Sequence, residues 1–325
     1  MTDRKLRVGV IGAGNFGRYH ALKVAGSARA ALSGVFDADF TRAAAVAAES
    51  GTGALPLDAL LAASDAAVVA APAEAHHRLG LAALRAGLHV LMEKPIAASL
   101  AEADELAAVA RAGGLVLQVG HLERFSAAYA ALAGKLSRPL YLEAERIAPF
   151  KPRGTDVSVV LDLMIHDLDL VLALVDSPLE RVDAVGAAVA SAREDIANAR
   201  LEFESGAVAT ITASRVSLRT ERRMRIFSPN AYLTLDFSTR RLTRVFRGAG
   251  EAWPAAPGFA SESFSWTDQD PLAAEHAAFA ASVLDGAPVL VDAAAGRRAL
   301  DAALRVEAAM GSAREKVRRT GLASV

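Results

Sequence analysis

Three groups of residues have types and spacings that can do chemistry. The first is Gly12-x-Gly14-x-x-Gly17, which follows the apolar run Leu6–Ile11 and opens a helix-like stretch, Phe16–Ala25. Gly12 allows a tight turn out of a strand, Gly14 lets a pyrophosphate approach the backbone, and Gly17 lets the helix lie close to the sheet. The free N–H groups and positive dipole at the helix start favour phosphate. Asp37 ends a second strand-like run, Ala30–Phe36, 20 residues past Gly17, where a carboxylate can take a ribose 2′-hydroxyl. A fingerprint with its strand, helix and acid in place points to a dinucleotide. The alternative is a glycine-rich turn with a chance acid.

The second group is Met92-Glu93-Lys94-Pro95, after the short strand-like run His89–Met92. Ligands of open α/β sheets bind at the carboxyl ends of strands, so Lys94 is placed to hold its ammonium near a reacting oxygen. The alternative is an exposed surface lysine. The third group is Asp162, His166 and Asp169, spaced i, i+4, i+7 in an otherwise apolar helix, Val157–Val175. That spacing puts them on one face. Ionisable groups in such a helix are paired or line a wet cavity. A carboxylate beside an imidazole suits a general base near neutral pH. The alternative is a hydrogen bond that only fixes packing. The same spacing could chelate a metal, but no third and fourth ligand accompanies it, so no metal site is expected.

The elements that must position these residues fall into two patterns. Up to about Gly120, strand-like and helix-like pieces alternate: a helix at Thr41–Glu49, a short one at Leu57–Ala62, a strand at Ala66–Ala71, a helix at His76–Arg85 and a strand at Leu115–Val119. Ser99-x-x-Glu102 is a capping box for a helix over Leu100–Ala112. This alternation implies an α/β domain with a doubly wound parallel sheet. Beyond Leu140 strands dominate, and runs such as Leu201–Glu204 and Tyr232–Leu235 alternate as half-buried antiparallel strands do. Gly248–Thr267, rich in Gly and Pro, reads as a loop. Pro271–Leu284 and Asp292–Met310 read as closing helices, with a frayed polar end after Arg314. The expected domains are 1–122 and 123–325, with the terminal helices available to pack back on the first.

At 325 residues, 53% apolar and 22% charged, the chain has material for two cores. A net charge of −1 makes no electrostatic case for nucleic acid or an anionic membrane. The absence of cysteine removes disulfides, thiolate metal sites and a cysteine nucleophile. Apolar runs are short of the ~20 residues that span a bilayer. Met1–Arg7 is polar, without a signal-peptide apolar region. A soluble, cytoplasmic protein is expected.

Taken together, the motifs resemble the Gfo/Idh/MocA family of nicotinamide-dependent oxidoreductases. The carriers are Gly12-x-Gly14-x-x-Gly17, Pro72-x-x-x-His76, Ala86-Gly87 through Glu93-Lys94-Pro95, Glu123-Arg124-Phe125 and Asp162-x-x-x-His166. The resemblance implies a Rossmann domain followed by an α+β domain with a large open antiparallel sheet, and a homodimer or homotetramer formed through that sheet. It implies Lys94 as the lysine that contacts substrate hydroxyl and cofactor, His166 as general acid/base and Asp162 as its substrate-side acid. It also places Asn15, Phe16, Pro72, His76, Glu93 and Arg124 near the cofactor. One departure is Thr155-Asp156-Val157-Ser158, where many relatives carry a Gly-Gly pair.

Gly120–Phe125 and Arg153–Asp156, leading into Leu161–Asp167, are similar to a nucleotide-sugar branch of the family, the bacterial UDP-N-acetylglucosamine 3-dehydrogenases. Arg146, Lys151 and Arg153 could then meet a pyrophosphate, or be solvated surface charges. The expected cofactor is NAD rather than NADP, because Asp37 repels a 2′-phosphate and Ala38 and Asp39 follow it. The expected reaction is oxidation of a secondary alcohol of a sugar, polyol or nucleotide sugar. Two alternatives stand beside it: a non-catalytic regulator that senses NAD or a sugar, and a dehydrogenase of imine or dihydrodiol type.

Overall fold

The computed structural model describes residues 5–319 apart from 137, 153, 230, 249, 254–256 and 268. The chain divides into two compact units, one of residues 1–125 and 270–300, the other of 126–269 and 301–325.

The first unit is built on β1 (Leu6–Ile11), where every residue but Arg7 is buried. Such a run, apolar on both faces, suits the middle of a parallel sheet. It is followed by α1 (Asn15–Ala25), β2 (Ala30–Phe36), α2 (Phe40–Glu49), α3 (Leu57–Ala62), β3 (Ala66–Val69), α4 (Ala73–Arg85), β4 (His89–Glu93), α5 (Leu100–Ala112) and β5 (Leu117–Gly120). The strands pair in the order β2-β1-β3-β4-β5, all parallel. The order reverses between β1 and β3, which opens a ligand crevice at their carboxyl ends. The expected doubly wound sheet is therefore present. Helix α5 starts where the capping box puts it. Ser99 Oγ accepts the Glu102 N–H at 3.3 Å, while the Glu102 carboxylate reaches back to the Ala98 N–H at 3.0 Å.

The second unit starts with α6 (Ala127–Ala130) and β6 (Tyr141–Ile147). A π-helical turn, Val160–Met164, then leads into α7 (Ile165–Val175). Strands β7 (Leu179–Ala187), β8 (Ile196–Phe203), β9 (Val208–Ser214), β10 (Glu221–Ser228), β11 (Ala231–Asp236), β12 (Arg241–Arg247), β13 (Glu251–Ala252) and β14 (Phe259–Ser265) follow. These eight join β6 in a nine-stranded sheet, order β13-β14-β12-β11-β10-β6-β9-β8-β7. It is antiparallel except that β6 and β9 run parallel. Leu142 and Ala144 of β6, Ala209, Ile211 and Ala213 of β9, and Met224 and Ile226 of β10 are buried. Period-2 alternation puts them on one face, with Glu143, Glu145, Thr210, Arg223 and Arg225 on the other.

Two expectations are corrected here. Gly248–Thr267 is not a plain loop, because β14 pairs with β12 over seven residues. Its glycines and prolines lie before Phe259 and leave the alternating Phe-Ala-Ser-Glu-Ser-Phe-Ser run free to pair. Pro254 lies outside the described residues. The chain closes with α8 (Pro271–Asp285) and α9 (Ala293–Arg319), so the last helix continues past Arg314 instead of fraying there. Among the described residues no helix is long and apolar enough to cross a membrane.

Candidate active site

The glycines of the first motif do three different things. Gly12 has φ +104, and a Cβ there would lie 2.5 Å from the Ala70 carbonyl oxygen. At Gly17 a Cβ would lie 1.8 Å from the Gly12 carbonyl oxygen, so α1 can cross the loop only at glycine. At Gly14 a Cβ would meet no atom of the described residues within 4 Å. No packing demands glycine there, so what a Cβ would obstruct is a molecule laid against the loop. Gly14 is also the N-cap of α1, and no side chain among the described residues caps its first turn. Those N–H groups suit a pyrophosphate. Asn15 and Phe16 stand exposed beside them.

Asp37 is placed to serve the same ligand. One of its oxygens accepts the Ala13 N–H at 2.7 Å and the other the Asp39 N–H at 2.9 Å. Each oxygen keeps a further lone pair for a hydroxyl donor. Arg42 approaches Asp37 at 3.7 Å and Asp39 at 3.4 Å, so its charge faces two carboxylates. These features fit a dinucleotide at the carboxyl end of β1.

Lys94 follows β4 directly and is half-buried, and its peptide bond to Pro95 is cis. His76 holds this turn. It is 1% exposed, with Nδ1 2.7 Å from the Pro95 carbonyl oxygen and Nε2 2.8 Å from that of Ala71. Pro72, the N-cap of α4, is exposed. Glu93 points inward: one oxygen lies 2.8 Å from His20 Nε2 and the other accepts the Lys94 backbone N–H at 3.2 Å. Arg124 sits half-buried on a 3-10 turn, Leu122–Phe125.

In the second unit the π turn changes the expected spacing. Its i→i+5 bonding widens the turn by a residue and rotates α7 relative to it. Asp162, within the turn, and His166, just after it, are half-buried, whereas Asp169 is 2% exposed. Such π turns recur at functional sites. Gly154, at φ +64, lies against this turn: a Cβ there would come within 3.1 Å of Asp162 Oδ2.

The three expected phosphate-binding cations are placed differently. Arg146 makes a bidentate pair with Asp167, at 2.7 and 3.1 Å, and both side chains are largely buried. Its charge is taken up in holding α7. Lys151 is exposed. Arg153 lies outside the described residues.

Sequence reasoning missed a clamp on the segment before the π turn. Arg215 donates to the carbonyls of Gly154 at 2.6 Å and Val157 at 3.1 Å, and to Asp195 at 2.8 Å. It thus fixes the segment that leads into the π turn. Also missed were Glu275 and His276, two ionisable residues in the apolar run Leu272–Phe279. That run was the one available signal.

A strand–Gly-x-Gly-x-x-Gly–helix unit with an acid after its second strand, followed by a second unit built on a large sheet, defines a two-unit dinucleotide-binding protein. Comparison with known proteins makes the class specific. Residues 6–121 match the model of the oxidoreductase family with NAD-binding Rossmann fold, and residues 132–234 match the Gfo/Idh/MocA C-terminal domain. The chain belongs to the Gfo/Idh/MocA family, as its motifs led one to expect.

The chain is 44% identical over 308 residues to the UDP-N-acetylglucosamine 3-dehydrogenase of Acidithiobacillus ferrooxidans, covering 94% of this chain and 97% of that one. A solved structure of that enzyme superposes with a TM-score of 0.90, covering 95% of this chain and 98% of that chain. An inositol 2-dehydrogenase of Rhodococcus erythropolis is 31% identical over 281 residues, 78% of this chain and 79% of that one. The protein is a dehydrogenase of this oxidoreductase family.

Proposed function

We propose that the chain oxidises a ring secondary alcohol of a UDP-linked N-acetylated sugar, with NAD as hydride acceptor. The observation that carries this reading is the 44% identity, spread over 94% of the chain, to a UDP-N-acetylglucosamine 3-dehydrogenase. The weaker likeness to inositol 2-dehydrogenases supports a free polyol as the second reading.

NAD, when bound, supplies the hydride acceptor. Gly14 and the first N–H groups of α1 take its pyrophosphate, and Asp37 takes the adenosine ribose. Asp37 would repel a 2′-phosphate, which favours NAD over NADP. Asn15, Phe16, Pro72 and Arg124 are assigned to its border, and buried His76 acts on it only through the turn it holds. His166 accepts the hydroxyl proton as the carbinol hydrogen departs as hydride. Lys94 stabilises the developing alkoxide, as a preorganised cation does well. Asp162 orients His166. Lys151 and Arg153 are assigned to the substrate phosphates, whereas Arg146 acts through Asp167. Assembly as a homodimer or homotetramer and a cytoplasmic location complete the reading.

The test follows NADH formation with UDP-N-acetylglucosamine, its uronic acid, myo-inositol and glucose, with NADP in parallel. Turnover is expected with UDP-N-acetylglucosamine and NAD. Lys94→Ala and His166→Ala should each lose about 10²–10⁴ in kcat, the usual worth of such groups, with NAD affinity kept. Turnover of myo-inositol alone would overturn the nucleotide-sugar reading. Near-full activity in both variants would overturn the residue roles.

A further inference from the structure

Behind the Glu93–Lys94 turn, four ionisable side chains are packed together inside the first unit. His20 of α1 and Glu275 of α8 are 0% exposed, and His276 is 8% exposed. His20 bridges two of the others, with Nε2 2.8 Å from Glu93 Oε1 and Nδ1 2.9 Å from His276 Nε2. His20, Glu93 and Glu275 each bring a polar atom within 4.8 Å of the others. Neither carboxylate oxygen of Glu275 has a hydrogen-bond partner among the described residues. Gly120 lies close against Glu93, since a Cβ there would come within 3.0 Å of Glu93 Oε1.

Two carboxyl groups this close inside a protein do not both ionise. Their contacts decide which one does. Burial acts to raise Glu93, but the His20 hydrogen bond and charge, the Lys94 charge and the Lys94 N–H together hold it below the ordinary value. Glu275 has no such support among the described residues. Burial, and then the Glu93 charge, push it well above the ordinary carboxyl range. His276 is driven down to about 3, first by burial, and is uncharged near neutral pH.

We propose that Glu93 is a positioning residue for Lys94, and that Glu275, by holding a proton, leaves Glu93 as the one carboxylate charge of the cluster. An adjacent carboxylate favours the charged form of an ammonium. Glu93 also fixes the Lys94 backbone through its N–H. This rests on the reading of Lys94 as the group that stabilises the alkoxide.

The other charged groups around the cluster come from known places. Lys23 of α1 is paired with Asp270, the N-cap of α8, and both act on His276. His76 of α4 is bound to the Pro95 and Ala71 carbonyls. The 3-10 turn that packs against α8 carries Glu123 and Arg124. Strands β3 and β5, which flank β4, bring no ionisable side chain.

The experiment compares kcat against pH for the wild type, Glu93→Gln, Glu275→Gln and Lys94→Ala, with UDP-N-acetylglucosamine and NAD. Glu93→Gln should lose activity on the alkaline side about one pH unit earlier, because the ammonium loses its counter-charge. Its KM for NAD should stay within about threefold, as expected of a change outside uniform binding. Glu275→Gln mimics the protonated acid and should keep the wild-type profile. Infrared spectra of the wild type should show the C=O stretch of a buried protonated carboxyl group, absent from Glu275→Gln. An unshifted Glu93→Gln profile beside an inactive Lys94→Ala overturns this proposal and leaves the Lys94 reading intact. An active Lys94→Ala overturns both. Absence of the infrared band overturns the proton on Glu275, and that measurement needs no active variant.

Discussion

Two acids in this molecule are equally inaccessible and end in opposite states. Glu275 in the first unit and Asp195 in the second are both 0% exposed. Asp195 accepts the N–H groups of Val189, Ala190 and Ser191 at 2.8, 2.6 and 3.0 Å. It also accepts the Ser191 hydroxyl and Arg215 Nε, both at 2.8 Å. Burial acts to raise it, yet Arg215 and these donors hold it well below the usual carboxylate range. The Glu275 carboxyl has no donor among the described residues and, with the Glu93 charge beside it, is held well above that range. Burial sets the penalty for charge, and the donors aimed at each oxygen decide whether the charge is kept. The satisfied pair makes a rigid clamp on residues 154–157. The unsatisfied acid makes a neutral neighbour for a charge that is used elsewhere.

The largest effect expected from this contrast is at the clamp. Arg215→Ala leaves Asp195 buried without its counter-charge and frees the Gly154 and Val157 carbonyls. Removing one partner of a buried pair costs about 3–5 kcal/mol. Urea unfolding should show a loss of that size, and kcat should fall with it, because the segment against Asp162 is released. A loss under about 1 kcal/mol would mean that the donors alone sustain Asp195.

The next effect is a reversal of sign with pH. The folded value of Asp195 is lowered, so its stabilisation is present above the ordinary carboxyl range and is lost as pH falls through that range towards the folded value. The folded value of Glu275 is raised, so its contribution is complete below the ordinary range and is lost as pH rises towards the folded value. At pH ~8 Asp195→Asn should therefore lower Tm and Glu275→Gln should raise it, each by at least the roughly 2–4 °C that 1 kcal/mol moves a chain of 150–250 residues. At pH ~4 the Glu275→Gln difference should largely vanish, whereas the Asp195→Asn difference should fade only as pH falls further, towards the folded value of Asp195. Thermal melts of the two variants that move in the same direction would contradict the opposite charge states.

What could be read from the sequence was local. Each strand or helix of the first unit shows its period within a dozen residues, and Ser99 marks the start of α5. Gly17 and Asp37 act on Gly12 and Ala13 in the same βαβ unit, so a spacing rule finds them, whereas Gly12 itself faces Ala70, just past β3. The clusters that fix charge are assembled from afar. His20 meets His276 across 256 positions, and Arg215 meets Gly154 across 61. No periodicity reports such a meeting. The π turn is hidden for another reason: one extra residue per turn leaves the apolar pattern of Val157–Val175 looking like an ordinary helix. Arg146 looks available for phosphate in the sequence because its partner, Asp167, is one residue from His166 and the Asp162 spacing draws the eye first.

The smallest expected effect asks whether geometry alone could account for the strength of the clamp. Arg29 pairs with Asp285 in a bidentate arrangement, both contacts at 2.7 Å, as good as any buried pair here. Its side chains are 43% and 52% exposed. Water screens such a pair, and holding two side chains in one geometry costs entropy. Arg29→Ala should leave the urea midpoint unchanged within error, at low and at high salt, while Arg215→Ala shifts it strongly. A comparable shift from Arg29→Ala that vanished at high salt would show that bidentate geometry stabilises without burial, and the contrast between Asp195 and Glu275 would then need an explanation other than donors acting in a dry interior.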